Sequence, residues 1–302
     1  MTANDFTYIR ELVRTDSALV LDGGKEYLVE SRLDPLARRE GFVSLEQMIG
    51  CLRLGPPGDL HRKVVEAMTT NETTFFRDPR AFRMIAKGIL PALIAERAPE
   101  RSLTIWCAAS STGQEPYSLA MLLQEQRPSL DGWNIRIIAT DLSRDVLARA
   151  QAGRYSQMEI NRGLPANLLV KYFEQRGPAW EIRPQIRRMV EFRELNLIHA
   201  WPGLPVAQLV LMRNVLIYLD VETRKAILER AGRILDPRGY LLLGGSETTT
   251  TLDDSFVPVS FEGAVAFQHR QASLAALRHC VFGRAILNPS SPWLPASAGR
   301  GY

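Results

Sequence analysis

"LTIWCAASSTGQEPYSLAMLLQEQ", residues 103–126, changes its pattern halfway along. Leu103 to Ala109 form a nearly continuous apolar run, short enough for a strand buried on both faces. The residues from Ala108 to Gly113 are small. From Pro116 onward apolar side chains recur at helical spacing, and a proline at a helix start lacks only an N–H that the helix does not use. A strand, a small-residue turn and a helix in that order open a parallel α/β sheet.

The same alternation repeats downstream. "NIRIIATDLS" (134–143) reads as a second strand and "RDVLARAQAGRY" (144–155) as a helix closed by Gly153. "AQLVLMRNVLIYL" (207–219) is another apolar strand, followed by the helix "VETRKAILERAGRIL" (221–235). "GYLLLGGS" (239–246) is a further strand, and "FVPVSFEGAVAFQHR" (256–270) reads as a hairpin turning at Glu262-Gly263. The pattern predicts a doubly wound, mostly parallel sheet. "WEIRPQIRRMVEF" (180–192) alternates like short antiparallel strands and reads as an insertion on that sheet.

Upstream, residues 2–66 carry apolar positions three and four apart, which predicts helices separated by Gly41 and by Gly55-Pro56-Pro57-Gly58. Arg32, Arg38, Arg39, Arg53, Arg62 and Lys63 cluster there, either as a solvated face or as a surface for an acidic partner. "AFRMIAKGILPALIAER" (81–97) predicts a helix broken near Pro91. Between these helical stretches lies "AMTTNETTFFRD" (67–78), where Thr and Asn favour caps and turns but two phenylalanines and an arginine follow. After Gln271 the chain is rich in Pro, Ser and Gly, and a poorly ordered tail is expected.

Composition narrows the function classes. The net charge is +4, too mild for a nucleic-acid arm. The N-terminus lacks the apolar core of a signal peptide, and Arg213 interrupts even the most apolar stretch, so no membrane insertion is expected. Cys51, Cys107 and Cys280 have neither metal nor disulfide spacing, which suits a reducing, cytoplasmic setting.

In a doubly wound sheet, ligands sit beyond the carboxyl ends of the strands. The turn after the first strand has only Gly113 where a dinucleotide loop needs G-x-G-x-x-G, and no Gly-Lys-Ser/Thr follows, so pyrophosphate binding is disfavoured. A nucleoside with a small amino-acid tail fits better. Asp141 ends the second strand and either accepts from ribose hydroxyls or caps the next helix. Glu115 either meets a ligand ammonium or favours the first turn of its helix. Asn196-Leu197 could offer a polar and an apolar contact to a purine, and Asn214 and Tyr218 follow another strand end facing the same crevice.

"TTNETTFFRD", "AASSTGQEPYSLAM", "ATDLSRDVLARAQAGRY", "LNL", "RNVLIYLD" and "GYLLLGGSE" together resemble the chemotaxis receptor methyltransferase family, CheR, in order and spacing over roughly residues 5–270. The resemblance implies a Rossmann-like S-adenosylmethionine-dependent methyltransferase sheet with a small antiparallel β-subdomain, preceded by an all-α N-terminal domain. It divides the chain into a receptor-docking helical domain (1–68), an interdomain segment contributing to the donor site (69–80), a methyltransferase domain (81–270) with its β-subdomain at about 173–192, and an irregular tail (271–302). It implies S-adenosylmethionine as methyl donor, S-adenosylhomocysteine as product, no metal, and glutamates of the chemoreceptor cytoplasmic domain as acceptors. Asn71, Thr73, Arg77, Glu115, Asp141, Asn196, Leu197, Asn214 and Val215 match donor contacts. Arg77 and Tyr218 match the residues nearest the transferred methyl, and Arg32, Arg38 and Arg39 are expected on the docking surface of a monomer.

Attack by a carboxylate on a sulfonium methyl needs no general base, because a glutamate of reference pKa about 4.3 is already ionised at neutral pH. None of His61, His199, His269 and His279 lies in these motifs. One departure is notable: between Phe173 and Phe192 the insertion looks shorter than in members that grip a pentapeptide tether, and it lacks their glycine-rich loop, so tether-independent binding is expected. A base-amino methyltransferase would present Asn/Asp-Pro-Pro-aromatic where this chain has "RNVLIYL". A donor-binding sensor would bind without turnover.

Overall fold

Thr2 starts the first helix. Its hydroxyl accepts the Asp5 N–H while the Asp5 carboxylate accepts from the Thr2 backbone, a reciprocal cap on α1 (Ala3–Ser17). After α2 (Glu26–Arg39), Ser44 caps α3 (Leu45–Leu54), and α4 (Asp59–Met68) completes a helical domain. Ile9, Val13, Leu33, Met48, Ile49 and Val64 share its buried core. The computed structural model describes residues 1–126 and 129–270, so the tail from 271 lies outside the described residues.

Pro79 opens α5 (Pro79–Met84), capped by the Asp78 side chain. Instead of breaking near Pro91, the helix widens into one π turn (Ile85–Ile89) and continues as α6 (Leu90–Glu96) with Pro91 in its first turn. The wider turn absorbs the hydrogen bond that proline cannot make.

The large sheet is built around β1 (Ser102–Ala108). On one side, in order, lie β2 (Asn134–Asp141) and β6 (Val190–Glu194). On the other lie β7 (Ala207–Met212) and β8 (Leu235–Leu243), all parallel. A hairpin of β9 (Phe256–Phe261) and β10 (Ala264–His269) closes the far edge antiparallel, turning at Glu262-Gly263, both at positive φ. Leu103, Ile105 and Cys107 enter one core, whereas Trp106 and Ala108 enter the other. Burial on both faces is why the strand reads as an unbroken apolar run. Helices α7 (Gln114–Glu125), α8 (Arg144–Ala152) and α12 (Val221–Ile234) connect the parallel strands.

The small sheet differs from the expected span of about 173–192. Its strands are β3 (Arg154–Ser156), β5 (Ala179–Ile182) and β4 (Phe173–Arg176), paired antiparallel in that order, with α9 (Gln157–Asn161) and α10 (Ala166–Tyr172) between β3 and β4 and α11 (Pro184–Arg187) leading from β5 to β6. The "VEF" that ends the alternating stretch belongs to β6 and pairs with β2 in the large sheet, where Val190 and Phe192 pack on its core.

The strand order reverses beside β1, between β2 and β7. Registers Ala108↔Thr140 and Ala108↔Met212 bring three carboxyl ends to one level, and Asp141↔Glu194 extends it to β6. That is where a crevice opens in such a sheet.

Candidate functional site

The turn after β1 is tightly curled. Ala109, Ser111 and Gly113 all have positive φ. A Cβ on Gly113 would lie 3.0 Å from the Ala150 Cβ and 3.1 Å from the Tyr117 ring, so only glycine lets α7 begin here. The Ser111 N–H donates to Asp141 Oδ2 at 2.9 Å, and the Ser143 N–H donates to its Oδ1 at 3.0 Å. The cap of α8 is Ser143, whose hydroxyl accepts from Val146, so Asp141 is not the N-cap. Burial pushes the Asp141 carboxyl above the usual carboxylate range, against the pull of those two N–H donors. The Ser110 hydroxyl is buried without a partner among the described residues.

Glu115, in the first turn of α7, meets Arg213 Nη1 at 3.0 Å. Burial raises its carboxyl, and the Arg213 charge and hydrogen bond hold it down. Asn214 follows at φ 59°. The Glu247 carboxylate accepts the N–H groups of Asn214 at 2.7 Å, Val215 at 3.0 Å and Gly244 at 2.6 Å, which fixes this bend. Tyr218 ends the 3₁₀ turn Leu216–Tyr218, and its carbonyl accepts the Val20 N–H at 3.0 Å, beside a Leu19–Leu219 bridge. The helical domain therefore forms part of the wall.

The interdomain segment is anchored by its apolar pair. Phe75 is fully buried, edge-on to Tyr155 and Phe173, and the Phe76 N–H donates to Ser118 Oγ at 2.9 Å. Its polar half then crosses the crevice: the Asn71 carbonyl accepts from Ser111 Oγ at 2.9 Å, and Arg77 Nη1 donates back to the Glu72 carbonyl at 2.8 Å. The Asn196 amide donates to the Asp16 carbonyl at 2.7 Å, tying the loop after β6 to the end of α1.

A crevice of about 930 Å³, counted with the solvent open at its mouth, lies between these parts. Asn71, Thr73, Arg77, Glu115 and Asp141 line it, as do Asn196, Leu197, Asn214, Val215 and Tyr218. All ten residues singled out for donor binding or chemistry thus line one crevice. Ser17, Leu19 and Arg213 line it too and escaped sequence reasoning. A charge inside "LVLMRNVL" was a usable signal, since a buried arginine requires a partner.

The three arginines expected on a docking surface separate. Arg38 and Arg39 are exposed, the latter 3.9 Å from Asp145. Arg32 is half-buried, and its guanidinium donates to the carbonyls of Met68 and Thr69 and to Thr70 Oγ1, fastening the interdomain segment to α2. Among the described residues, no group of three or more His, Cys, Asp or Glu could hold a metal ion, and no helix is long and apolar enough to cross a membrane.

Residues 71–265 match the model of the CheR methyltransferase SAM-binding domain, and residues 4–69 match that of the CheR methyltransferase all-alpha domain. Chemotaxis protein methyltransferase 1 of Pseudomonas aeruginosa is 40% identical over 268 residues, 87% of this chain and 97% of that protein. A chemotaxis protein methyltransferase of Pseudomonas putida is 38% identical, again over 87% and 97%. Chemotaxis protein methyltransferase 1 of Vibrio cholerae is 36% identical over 85% of this chain and 93% of its own length.

Proposed function

Because the chain belongs to the CheR methyltransferase family and carries its all-α and S-adenosylmethionine-binding domains in order, we propose that it methylates glutamate side chains of chemoreceptors to glutamyl methyl esters. The observation that carries this reading is the convergence of ten sequence-selected residues on one cavity, roofed by the interdomain segment.

The residues fit the donor. Asp141, buried at a strand end with lone pairs left on both oxygens, suits the ribose hydroxyls, and Glu115 suits the ammonium. The unpartnered Ser110 hydroxyl and the small residues around it leave room for close backbone approach. Asn196-Leu197 flank the adenine side, and Asn71, Thr73 and Asn214-Val215 the amino-acid part. When bound, S-adenosylmethionine supplies an electrophilic methyl on a sulfonium.

This chain's own part is orientation and exclusion of water. Arg77 orients a carboxylate, the Tyr218 hydroxyl aligns the reacting groups, and the segment 69–80 acts as a lid. No residue has to remove a proton, since the acceptor glutamate is ionised. Arg38 and Arg39 meet an acidic methylation region directly. Between β4 and β5 only Gly177 and Pro178 intervene, and so short a turn supports binding without a receptor C-terminal tether. The protein acts as a cytoplasmic monomer in chemotactic adaptation. The test is mass spectrometry of a receptor cytoplasmic domain after incubation with enzyme and donor. A single methyl increment on glutamate-bearing peptides is expected, and increments on other residue types would overturn the reading.

A further inference from the structure

Arg213 directly follows the buried apolar strand β7 and stands between two parts of the site. Its Nη1 donates to Glu115 Oε2 at 3.0 Å, and its Nη2 donates to the Arg77 carbonyl at 2.9 Å, with the Asp78 carboxylate 3.7 Å away. The side chain is 2% exposed, lies over the Phe82 ring and lines the cavity. A guanidinium this buried is fixed by its partners, because leaving it unpaired would be costly. One partner begins α7, and the others end the interdomain segment.

We propose that Arg213 is a positioning residue that orders both halves of the donor site together. One arm keeps Glu115 available as an ammonium-binding carboxylate, and the other holds the Arg77 peptide and so the lid. The inference rests on the reading of Glu115 as the donor's ammonium contact.

Glu115 is faced by Arg213 just beyond β7, Arg77 from the interdomain segment, Glu247 from the loop after β8 and the Cys107 thiol from β1. Burial and Glu247 favour the protonated acid, and of the two cations Arg213 opposes them more strongly. A protonated Glu115 has no charge with which to hold an ammonium. Without Arg213, donor binding therefore becomes dependent on pH below neutrality, whereas a merely structural loss would weaken binding equally at every pH.

The test is calorimetric binding of S-adenosylhomocysteine, which keeps the ammonium, from about pH 5.5 to about pH 7.5, below the titration of an ordinary α-amino group. In Arg213→Met the affinity should fall steeply on acidification, approaching about tenfold per pH unit, against a shallower wild-type slope. Adding Glu115→Gln should abolish the extra slope. Arg213→Lys keeps the charge but not the fork, so it should retain the wild-type slope while proteolysis within residues 69–78 speeds up. A Met variant with the wild-type pH profile, or a Lys variant as protected as the wild type, overturns the proposal. Should the Met variant fail to fold, the Lys comparison decides alone. Wild-type protein that binds no S-adenosylhomocysteine at any pH contradicts the functional reading beneath it instead.

Discussion

Asp141 and Glu115 are carboxyls whose burial outweighs the groups that favour their charge. Between the ordinary carboxylate range and their raised values, the folded chain binds more protons than the unfolded chain. Their contribution to stability is therefore present at acidic pH and lost as the pH rises through the folded values. Urea midpoints should show this: the wild type should lose stability as the pH rises above the ordinary carboxylate range, and the Glu115→Gln/Asp141→Asn variant should lose part of that decline. At the same scale, Arg77→Ala should lower kcat by on the order of a hundredfold with a smaller change in donor affinity, checked by kinetics beside calorimetry. Asp141 and Glu115 could be read from sequence because each lies next to the element that positions it. Arg213 could not be paired in advance, because Glu115 is 98 residues away and nothing local points to it. The clamp made by Arg32 was not legible either, because charge composition does not reveal where a guanidinium turns, here onto carbonyls 36 and 37 residues on.

At the scale of elements, the interdomain segment joins two incompatible demands, a polar face for the cavity and an anchor in a core. Phe75 meets the second, so Phe75→Ala should cost about 3–5 kcal/mol in chemical denaturation, the usual range for a buried phenylalanine. Gly163 guards the same anchor, since a Cβ there would lie 2.2 Å from the Phe75 carbonyl oxygen at a φ of 95°. Gly163→Ala should therefore destabilise the fold and weaken donor binding together, seen as a lower thermal midpoint and a raised S-adenosylhomocysteine Kd. The strands of the large sheet were legible from apolar runs closed by turn residues. The small sheet was not, because β3 is only three residues long and its pairing with β5 depends on the chain returning from elsewhere.

At the scale of the whole molecule, the helical domain does more than present Arg38 and Arg39. Ser17 and Leu19 wall the cavity, Arg32 clamps the segment that crosses it, and Glu66 Oε2 accepts from Ser143 Oγ at 3.1 Å across the domain boundary. The helical domain thus carries exposed arginines and also supplies part of the cavity wall. Removing the last residues of a receptor should leave its methylation rate unchanged if the short β4–β5 turn reflects tether-independent binding, which rate comparison with and without that tail would check. The central claim, carboxyl methylation, is tested most directly by transfer of radiolabelled methyl from S-adenosylmethionine to a chemoreceptor cytoplasmic domain, scored as base-labile volatile methanol. Label that vanishes when the receptor glutamates become alanine is the predicted result. Absence of volatile label, despite measured donor binding and an intact receptor, would contradict it.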